Sequence, residues 1–111
     1  MTELARIEAM NRDGTLLVRV TGEVDLSNAR DVMDAIGGSV PNDATLVVVD
    51  LSETTYLDSA GIAMIFRLAE RLGYSRQELR LVVPPDAPIR AVLALTSLDQ
   101  VIPVQAAIGE G

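Results

Sequence analysis

The chain has 111 residues, the length of one domain with its own core, and 49% of them are hydrophobic. It contains neither cysteine nor histidine, which removes disulfides, thiolate ligands, the commonest general base and the commonest metal ligand. The net charge of −7, from 16 acidic residues against nine arginines, disfavours binding to nucleic acid or to anionic membranes. No apolar run is long enough to cross a bilayer, and no secretory leader opens the chain. We therefore expect one cytoplasmic domain over residues 1–111, without membrane insertion, cofactor or metal.

The N-terminal segment predicts a β-hairpin. Apolar residues alternate over residues 4–10, and the same alternation returns at Leu16, Val18 and Val20. Between the two runs, residues 11–14 read Asn-Arg-Asp-Gly, which is typical of a tight turn.

A helix follows the hairpin. Ser27 or Asp25 is placed to cap it, and Gly37-Gly38 is placed to end it. Its apolar residues recur at helical spacing: Ala29, Val32, Met33 and Ile36. The continuous apolar run Leu46 to Val49 then predicts a central strand covered on both faces.

A second helix is predicted from Ser59 to Leu72, after a polar loop over Ser52 to Thr55. Its predicted buried stripe consists of Ile62, Ile65, Phe66, Ala69 and Leu72. The opposite, exposed face would carry Ala60, Ala63, Met64, Arg67 and Arg71.

The remaining elements complete an α/β pattern. Leu79 to Val83 predicts a strand, and Asp86 and Pro88 suit the start of a third helix. Val101 to Val104 predicts a last strand, at a sheet edge because of Pro103. The order is ββαβαβαβ, a mixed sheet with an N-terminal hairpin and helices packed on it.

Three roles are open to Ser59, which stands at the start of the second helix. As a helix cap, its hydroxyl would satisfy a backbone N–H. As a nucleophile it would need a base, and Asp58 without an imidazole is a weak one. The Gly-x-Ser-x-Gly pattern of hydrolases also fails, because Leu57 replaces the first glycine. The third role is a hydroxyl that another protein modifies, and we expect no catalytic residue.

Two segments resemble one family. The sequence VVVDLSETTYLDSAGIA at residues 47–63 is similar to the signature of STAS domains, specifically of bacterial anti-sigma factor antagonists. The sequence TGEVD at residues 21–25 resembles the Gly-Glu-Leu-Asp that ends the second strand in that family. The predicted order of strands and helices agrees, so the resemblance extends over nearly the whole chain and implies a single STAS domain.

The resemblance implies a phosphorylation switch in partner-switching control of transcription. Ser59 would be the phosphoacceptor, Asp58 its acidic neighbour, and Asp25 the aspartate of the adjoining loop. The unmodified protein would bind an anti-sigma factor with serine kinase activity and free the sigma factor. The phosphoprotein would not bind, and a PP2C-type phosphatase would reset it. Ser52, Thr54 and Thr55 are neighbouring alternatives for modification, although turn roles suit them better.

The partner-binding surface is predicted around Ser59, on the exposed face of the second helix. It comprises Asp25, Asp58, Ser59, Ala60, Gly61, Ala63, Met64 and Arg67. Small residues would let a partner approach the serine, and Met64 would be an exposed, adaptable apolar contact. An incidental surface methionine is the alternative.

The sequence departs from the family pattern in four places. Thr54 stands where an apolar residue is usual, Ala63 where glycine is usual, and Ser97 in place of the glycine after the third helix. Only the short apolar segment Val104 to Ile108 remains for a C-terminal helix.

Alternative roles for the same fold are an accessory subunit of a lipid-transport ATPase or a part of a stress-signalling scaffold.

Overall fold

The computed structural model describes residues 4–108 as a mixed sheet with helices packed against it. The elements in chain order are β1 (Ala5–Arg12), β2 (Thr15–Val24), α1 (Ala29–Ser39), β3 (Leu46–Asp50), β4 (Thr54–Leu57), α2 (Ser59–Tyr74), β5 (Glu78–Val82), α3 (Arg90–Leu95), a short 3₁₀ helix (Leu98–Gln100) and β6 (Val104–Gln105). The predicted fold class is confirmed. The predicted order lacked β4, because Thr54 and Thr55 begin a strand and are not part of a loop.

The sheet has the order β1-β2-β3-β5-β6, and β4 pairs with the end of β2. The β1–β2 hairpin is antiparallel and all other pairings are parallel. Asp13 and Gly14 form its turn with φ angles of 50° and 82°, the left-handed conformation that a two-residue hairpin turn requires. Parallel pairing places the ends of β2 and β4 together, next to the start of α2.

The core lies between the sheet and the three helices. Val47 and Val49 of β3 are buried in it, with Leu16, Val18 and Val20 of β2. Leu46 and Val48 point to the opposite face and are only half-buried. The prediction that both faces of this strand are covered is therefore wrong within the described residues, where one face has helices and the other does not.

Several predicted element ends shift. The glycines at 37 and 38 lie inside α1, which continues to Ser39. The third helix starts at Arg90 without a side-chain cap, so Asp86 does not cap it. The last strand is limited to Val104–Gln105, because the 3₁₀ helix takes residues 98–100 and Ile102 turns into the core. That strand lies at the sheet edge, as Pro103 predicted.

Among the described residues, no helix has the length and apolar character needed to span a membrane.

Candidate functional site

The N-terminus of α2 is capped by Asp58. Its Oδ1 accepts hydrogen bonds from the backbone N–H groups of Ala60, at 2.9 Å, and Gly61, at 3.0 Å. Its Oδ2 accepts the Leu26 N–H at 3.2 Å, from the loop after β2. This carboxylate therefore satisfies two of the free N–H groups of the helix and joins two distant segments. The prediction that Ser59 caps this helix is wrong, because an aspartate one residue earlier already does so.

Ser59 is the first residue of α2, and it is exposed. Within residues 4–108 its hydroxyl has no hydrogen-bond partner, and no base stands beside it. The neighbouring carboxylate of Asp58 is held by three backbone N–H groups. The geometry therefore presents Ser59 to an approaching molecule and offers no means of activating it as a nucleophile.

Gly61 allows α2 to approach the sheet closely. A Cβ at this position would lie 2.5 Å from Leu57 Cδ1 and 3.1 Å from the Val24 carbonyl oxygen. The first contact is shorter than real Cβ contacts and the second is tighter than most of them, so either the Leu57 side chain or the helix would have to shift to admit a side chain here. The glycine of the Asp-Ser-x-Gly motif thus fixes the position of Ser59.

Gly22 has a comparable role in the TGEVD segment. Its φ of +104° is a conformation that favours glycine, and a Cβ would lie 2.2 Å from the Leu4 carbonyl oxygen. The pairing of β2 with β4 shifts register between Gly22 and Glu23. The resulting irregularity redirects the chain toward the loop that carries Asp25.

The side chain of Asp25 organises this loop and does not cap α1. Its Oδ1 accepts hydrogen bonds from the Ser27 hydroxyl, at 2.5 Å, and the Ser27 N–H, at 2.8 Å. The hydroxyl bond, followed by the backbone bond, lowers the pKa of Asp25 below its ordinary value. Asn28 is the residue immediately before α1. Its side-chain Oδ1 accepts a hydrogen bond from the Asp25 N–H, and its Nδ2 donates one to the Glu23 carbonyl oxygen. The predicted caps of α1 are therefore wrong.

A groove of about 670 Å³ runs between α1 and α2, and Ser59 lies on its wall. From the predicted partner surface it contains Ser59, Ala60, Ala63, Met64 and Arg67. Asp25, Asp58 and Gly61 do not line the groove. Asp58 and Gly61 are hydrogen-bonded to each other at the first turn of α2, and the Leu26–Asp58 bond ties the Asp25 loop to that turn.

Met64 is only 4% exposed, so the prediction that it is an exposed contact is wrong. Helical spacing places Met64 on the side of α2 that faces away from the sheet, but it does not show whether another helix covers that side. In the structure α1 packs across that side, and Met64 joins the core with Leu68. Phe66 and Ala69, which were placed on the buried stripe, are only partly buried.

The α1 side of the groove was not among the predicted partner residues. This side consists of Leu26, Ala29, Arg30, Met33 and Asp34, and α2 adds Arg71. Leu26 is 83% exposed and lines the groove from the α1 side. Its spacing to Ala29, Arg30 and Met33 is that of one helical face, a signal that was readable in the sequence.

Thr54 is an unsuitable alternative for modification. It is 1% exposed, and its hydroxyl donates a 2.7 Å hydrogen bond to the Val20 carbonyl. This bond explains how a polar residue occupies a site where an apolar one is usual in the family.

Among the described residues, no three carboxylates come close enough together to form a metal site.

Comparison with known proteins assigns the family. The family model described as "STAS domain" matches residues 6–111. The anti-sigma-F factor antagonist RsfB of Mycobacterium tuberculosis is 30% identical over 69 residues, which are 62% of this chain and 57% of the relative. The aligned segment thus covers less than two thirds of that relative's own length.

Solved structures agree with this assignment. An anti-sigma factor antagonist from Mycobacterium paratuberculosis superposes with a TM-score of 0.82 at 29% identity, over 94% of this chain and 87% of that one. The anti-sigma factor antagonist SpoIIAA in its unphosphorylated form gives a TM-score of 0.68 at 18% identity, over 90% and 86%. The phosphorylated Bacillus form gives 0.59 at 19% identity, over 90% and 89%. At these identities the SpoIIAA structures bear on the fold alone.

The structure is a small α/β domain that presents an exposed serine at a capped helix N-terminus. The chain belongs to the STAS domain family, and the two mycobacterial proteins compared above are anti-sigma factor antagonists.

Proposed function

We propose that this protein is an anti-sigma factor antagonist in the cytoplasm, whose unphosphorylated form binds an anti-sigma factor with serine kinase activity. Phosphorylation of Ser59 ends that binding, and a PP2C-type phosphatase restores it. The protein acts by binding and is not itself an enzyme. Similarity to the mycobacterial antagonists supports this function. SpoIIAA, which shares the fold, has been solved in an unphosphorylated and a phosphorylated form, so a domain of this architecture can exist in both states.

The observation that carries the proposal is the setting of the Ser59 hydroxyl. It is exposed at the first turn of α2, without a hydrogen-bond partner in the described residues, and no structural role occupies it. Asp58 makes the cap bonds that a serine in this motif would otherwise make. A kinase therefore has access to a hydroxyl whose modification leaves the cap intact.

A phosphate here would change binding through charge. It adds about −1.5 to −2 charges at pH 7. The helix N-terminus favours an anion by roughly 0.3–1 kcal/mol. The Asp58 carboxylate, at ~6 Å and an effective dielectric near 20, opposes each charge by on the order of 2–3 kcal/mol before screening. The site therefore carries uncompensated negative charge, and a partner that covers it must desolvate the phosphate and the carboxylate together; a cost of about 2.7 kcal/mol corresponds to roughly 100-fold in affinity.

The partner surface is the groove between α1 and α2 together with the Asp25 loop. Ala60 and Ala63 leave room for close approach beside Ser59, and Leu26 offers an exposed apolar contact. Arg67 on the same wall forms no ion pair within residues 4–108, so its charge is available to an acidic group on the partner. These features suit a protein surface with an apolar centre and a carboxylate.

The experiment is phosphorylation by a candidate anti-sigma factor kinase with ATP, followed by intact-mass and peptide analysis. One phosphate on the wild type, located at Ser59 and absent from Ser59→Ala, is the expected result. Ser59→Ala should bind the unmodified partner with wild-type affinity in calorimetry, whereas Ser59→Glu should bind weakly. A phosphate retained by Ser59→Ala would contradict the assignment of this residue.

A further inference from the structure

Strand β1 forms one edge of the sheet, because among the described strands it pairs with β2 alone. Backbone hydrogen bonds show which of its residues face that edge. The Glu23 N–H donates to the Leu4 carbonyl oxygen at 2.8 Å. The Gly22 N–H points the other way and donates to the Glu53 carbonyl oxygen at 3.0 Å. Since successive residues of a strand turn these groups in opposite directions, the even-numbered residues of β1 bond to β2 and the odd-numbered residues face outward.

The outward backbone groups of β1 belong to Ala5, Ile7, Ala9 and Asn11. Within residues 4–108, no other segment forms a hydrogen bond with them. Such an edge can accept a further strand, and proteins usually prevent this with charges, a proline or a covering loop. The sequence of β1 contains no proline, and its charges are of both signs. Whether those charges prevent pairing therefore depends on the register of the incoming strand.

The side chains of β1 divide between the two faces of the sheet. Ala5 and Ile7 point to the helical side, where they pack against the core. Arg6, Glu8 and Met10 point to the other side and are exposed. Among the described residues, neither Arg6 nor Glu8 belongs to an ion pair. One face of this edge thus presents two opposite charges, two residues apart, that are available to a partner strand.

We propose that β1 pairs antiparallel with β1 of a second copy, centred on Ile7, so that the two sheets join across a two-fold axis. In this register Arg6 of each copy lies opposite Glu8 of the other, and symmetry provides the pair twice. Leu4 lies opposite Met10 on the same face, and these side chains are 39% and 59% exposed. Apolar side chains therefore meet apolar ones, and each arginine meets a carboxylate.

The backbone fits the same register. Antiparallel pairing requires outward-facing residues of one strand to lie opposite outward-facing residues of the other. Centring on Ile7 pairs Ile7 with itself and Ala5 with Ala9, so three pairs exchange two hydrogen bonds each. Arg6 and Glu8 then form non-hydrogen-bonded pairs, whose Cα atoms lie only about 4.5 Å apart. This closer spacing favours contact between their side chains.

Other registers match less well. Centring the contact on Arg6 or on Glu8 sets two like charges opposite each other, and centring it on Ala9 sets Arg6 opposite Arg12. Centring it on Met10 does match the charges, but the hairpin turn then leaves fewer strand residues in the overlap. The longest well-matched register of this edge is therefore complementary to its own sequence. This complementarity identifies a second copy as the occupant.

The contact is held by backbone hydrogen bonds and covers less than the standard interface of about 800 Å² per partner. The net charge of −7 on each copy also opposes association, although salt at about 0.15 M screens charges more than about 8 Å apart. We accordingly expect a weak dimer that forms at high protein concentration. None of the residues of this edge lines the groove beside Ser59, so the dimer is independent of the proposed switch.

Sedimentation velocity from low micromolar to millimolar protein tests the proposal. The wild type should be a monomer at the low end of this range and a dimer at the high end. In NMR spectra over the same range, the amide signals of Ile7 and Ala9 should shift. The signal of Leu95, which lies on α3 at a distance from this edge, should not.

Proline substitution tests the use of the backbone. Ala9 is exposed, and its N–H faces outward and forms no hydrogen bond within residues 4–108. Ala9→Pro removes this donor at a position where an edge strand tolerates proline, so it should preserve the fold and abolish the dimer. Ala9→Ser is the matched control, because it keeps the N–H, and it should dimerise as the wild type does.

Charge reversal tests the register. Arg6→Glu alone and Glu8→Arg alone each set like charges opposite each other and should raise the dissociation constant at least tenfold. Glu8→Arg also changes the net charge from −7 to −5, so general repulsion between copies would instead predict stronger association. An equimolar mixture of the two variants restores both pairs of opposite charge and should dimerise at least as well as the wild type.

Circular dichroism must show the wild-type secondary structure for every variant, and the charge variants decide alone if Ala9→Pro fails to fold. A wild type that stays monomeric at every concentration overturns the proposal. A folded Ala9→Pro that dimerises like the wild type also overturns it, because β1 would then not supply the contact. A mixture of the two charge variants that stays monomeric overturns the register and with it the proposed dimer.

Discussion

The Leu26 backbone N–H donates a 3.2 Å hydrogen bond to Asp58 Oδ2, across 32 residues of sequence. The same carboxylate caps α2 through its other oxygen. A single side chain therefore sets the Asp25 loop beside Ser59 and fixes the start of the helix. The two segments that resemble the family signature are thus joined by one residue.

Removing this carboxylate should cost stability. We expect Asp58→Ala to lower the free energy of unfolding by about 1–2 kcal/mol, because the helix loses its cap and the loop its anchor. Asp58→Asn keeps a side-chain oxygen that accepts at a cap and should lose less. Ser59→Ala should change stability by no more than about 0.5 kcal/mol, since its hydroxyl makes no cap bond. Urea denaturation of the three variants measures this, and a loss of ~1 kcal/mol in Ser59→Ala would contradict the observed capping.

Substitution of the motif glycine should displace the serine. Gly61→Ala sets a Cβ against Leu57 and the Val24 carbonyl, and we expect a loss of about 1–3 kcal/mol. Gly73→Ala is the matched control on the same helix, because nothing lies within 4 Å of a Cβ there. It should stabilise the protein by about 0.5–1 kcal/mol through helix propensity. Thermal and urea unfolding compare the two, and equal effects would show that the close approach of α2 is unimportant.

These glycines illustrate what the sequence predicts and what it does not. Alternating and helical spacing predict the hairpin and α2, because backbone geometry repeats along the chain. The need for Gly61 depends on Leu57 and Val24, which only the folded sheet brings near. The burial of Met64 has the same origin, since helical spacing cannot show which neighbour covers a helix face. Short β4 escaped prediction because its four residues begin with polar threonines.

Ser97 occupies a backbone conformation that favours glycine. Its φ of 57° and ψ of 22° are left-handed, which explains why glycine is usual after this helix in the family. Ser97→Gly removes a steric cost of about 1–2 kcal/mol from the folded state. Part of this gain is lost because glycine raises the entropy of the unfolded chain. We therefore expect the variant to be more stable by roughly 0.5–1 kcal/mol. Ser75→Gly is the control, because Ser75 has an ordinary φ of −94°. A destabilised Ser97→Gly in calorimetric unfolding would refute this reasoning.

The partner surface requires variants that respect the burial of Met64. Met64→Asp would place a charge in the core and unfold the protein, so this variant tests stability and not binding. Even Met64→Ala should lower the free energy of unfolding by about 2–5 kcal/mol. Ala63 lies one residue earlier, is exposed and lines the groove beside Ser59. We expect Ala63→Arg to weaken binding to an anti-sigma factor by at least ~1.4 kcal/mol, tenfold, because its bulk and charge block close approach. Its melting temperature should remain near that of the wild type, since an exposed helical position tolerates arginine.

Titration calorimetry with the unphosphorylated protein measures this effect. Ala91→Arg, at an exposed position on α3 outside the groove, is the matched control and should bind as the wild type does. Leu26→Ser, which shortens the exposed apolar side chain at the mouth of the groove, should weaken binding in the same direction as Ala63→Arg. Wild-type affinity in both variants would place the partner interface outside this groove and would contradict the proposed surface.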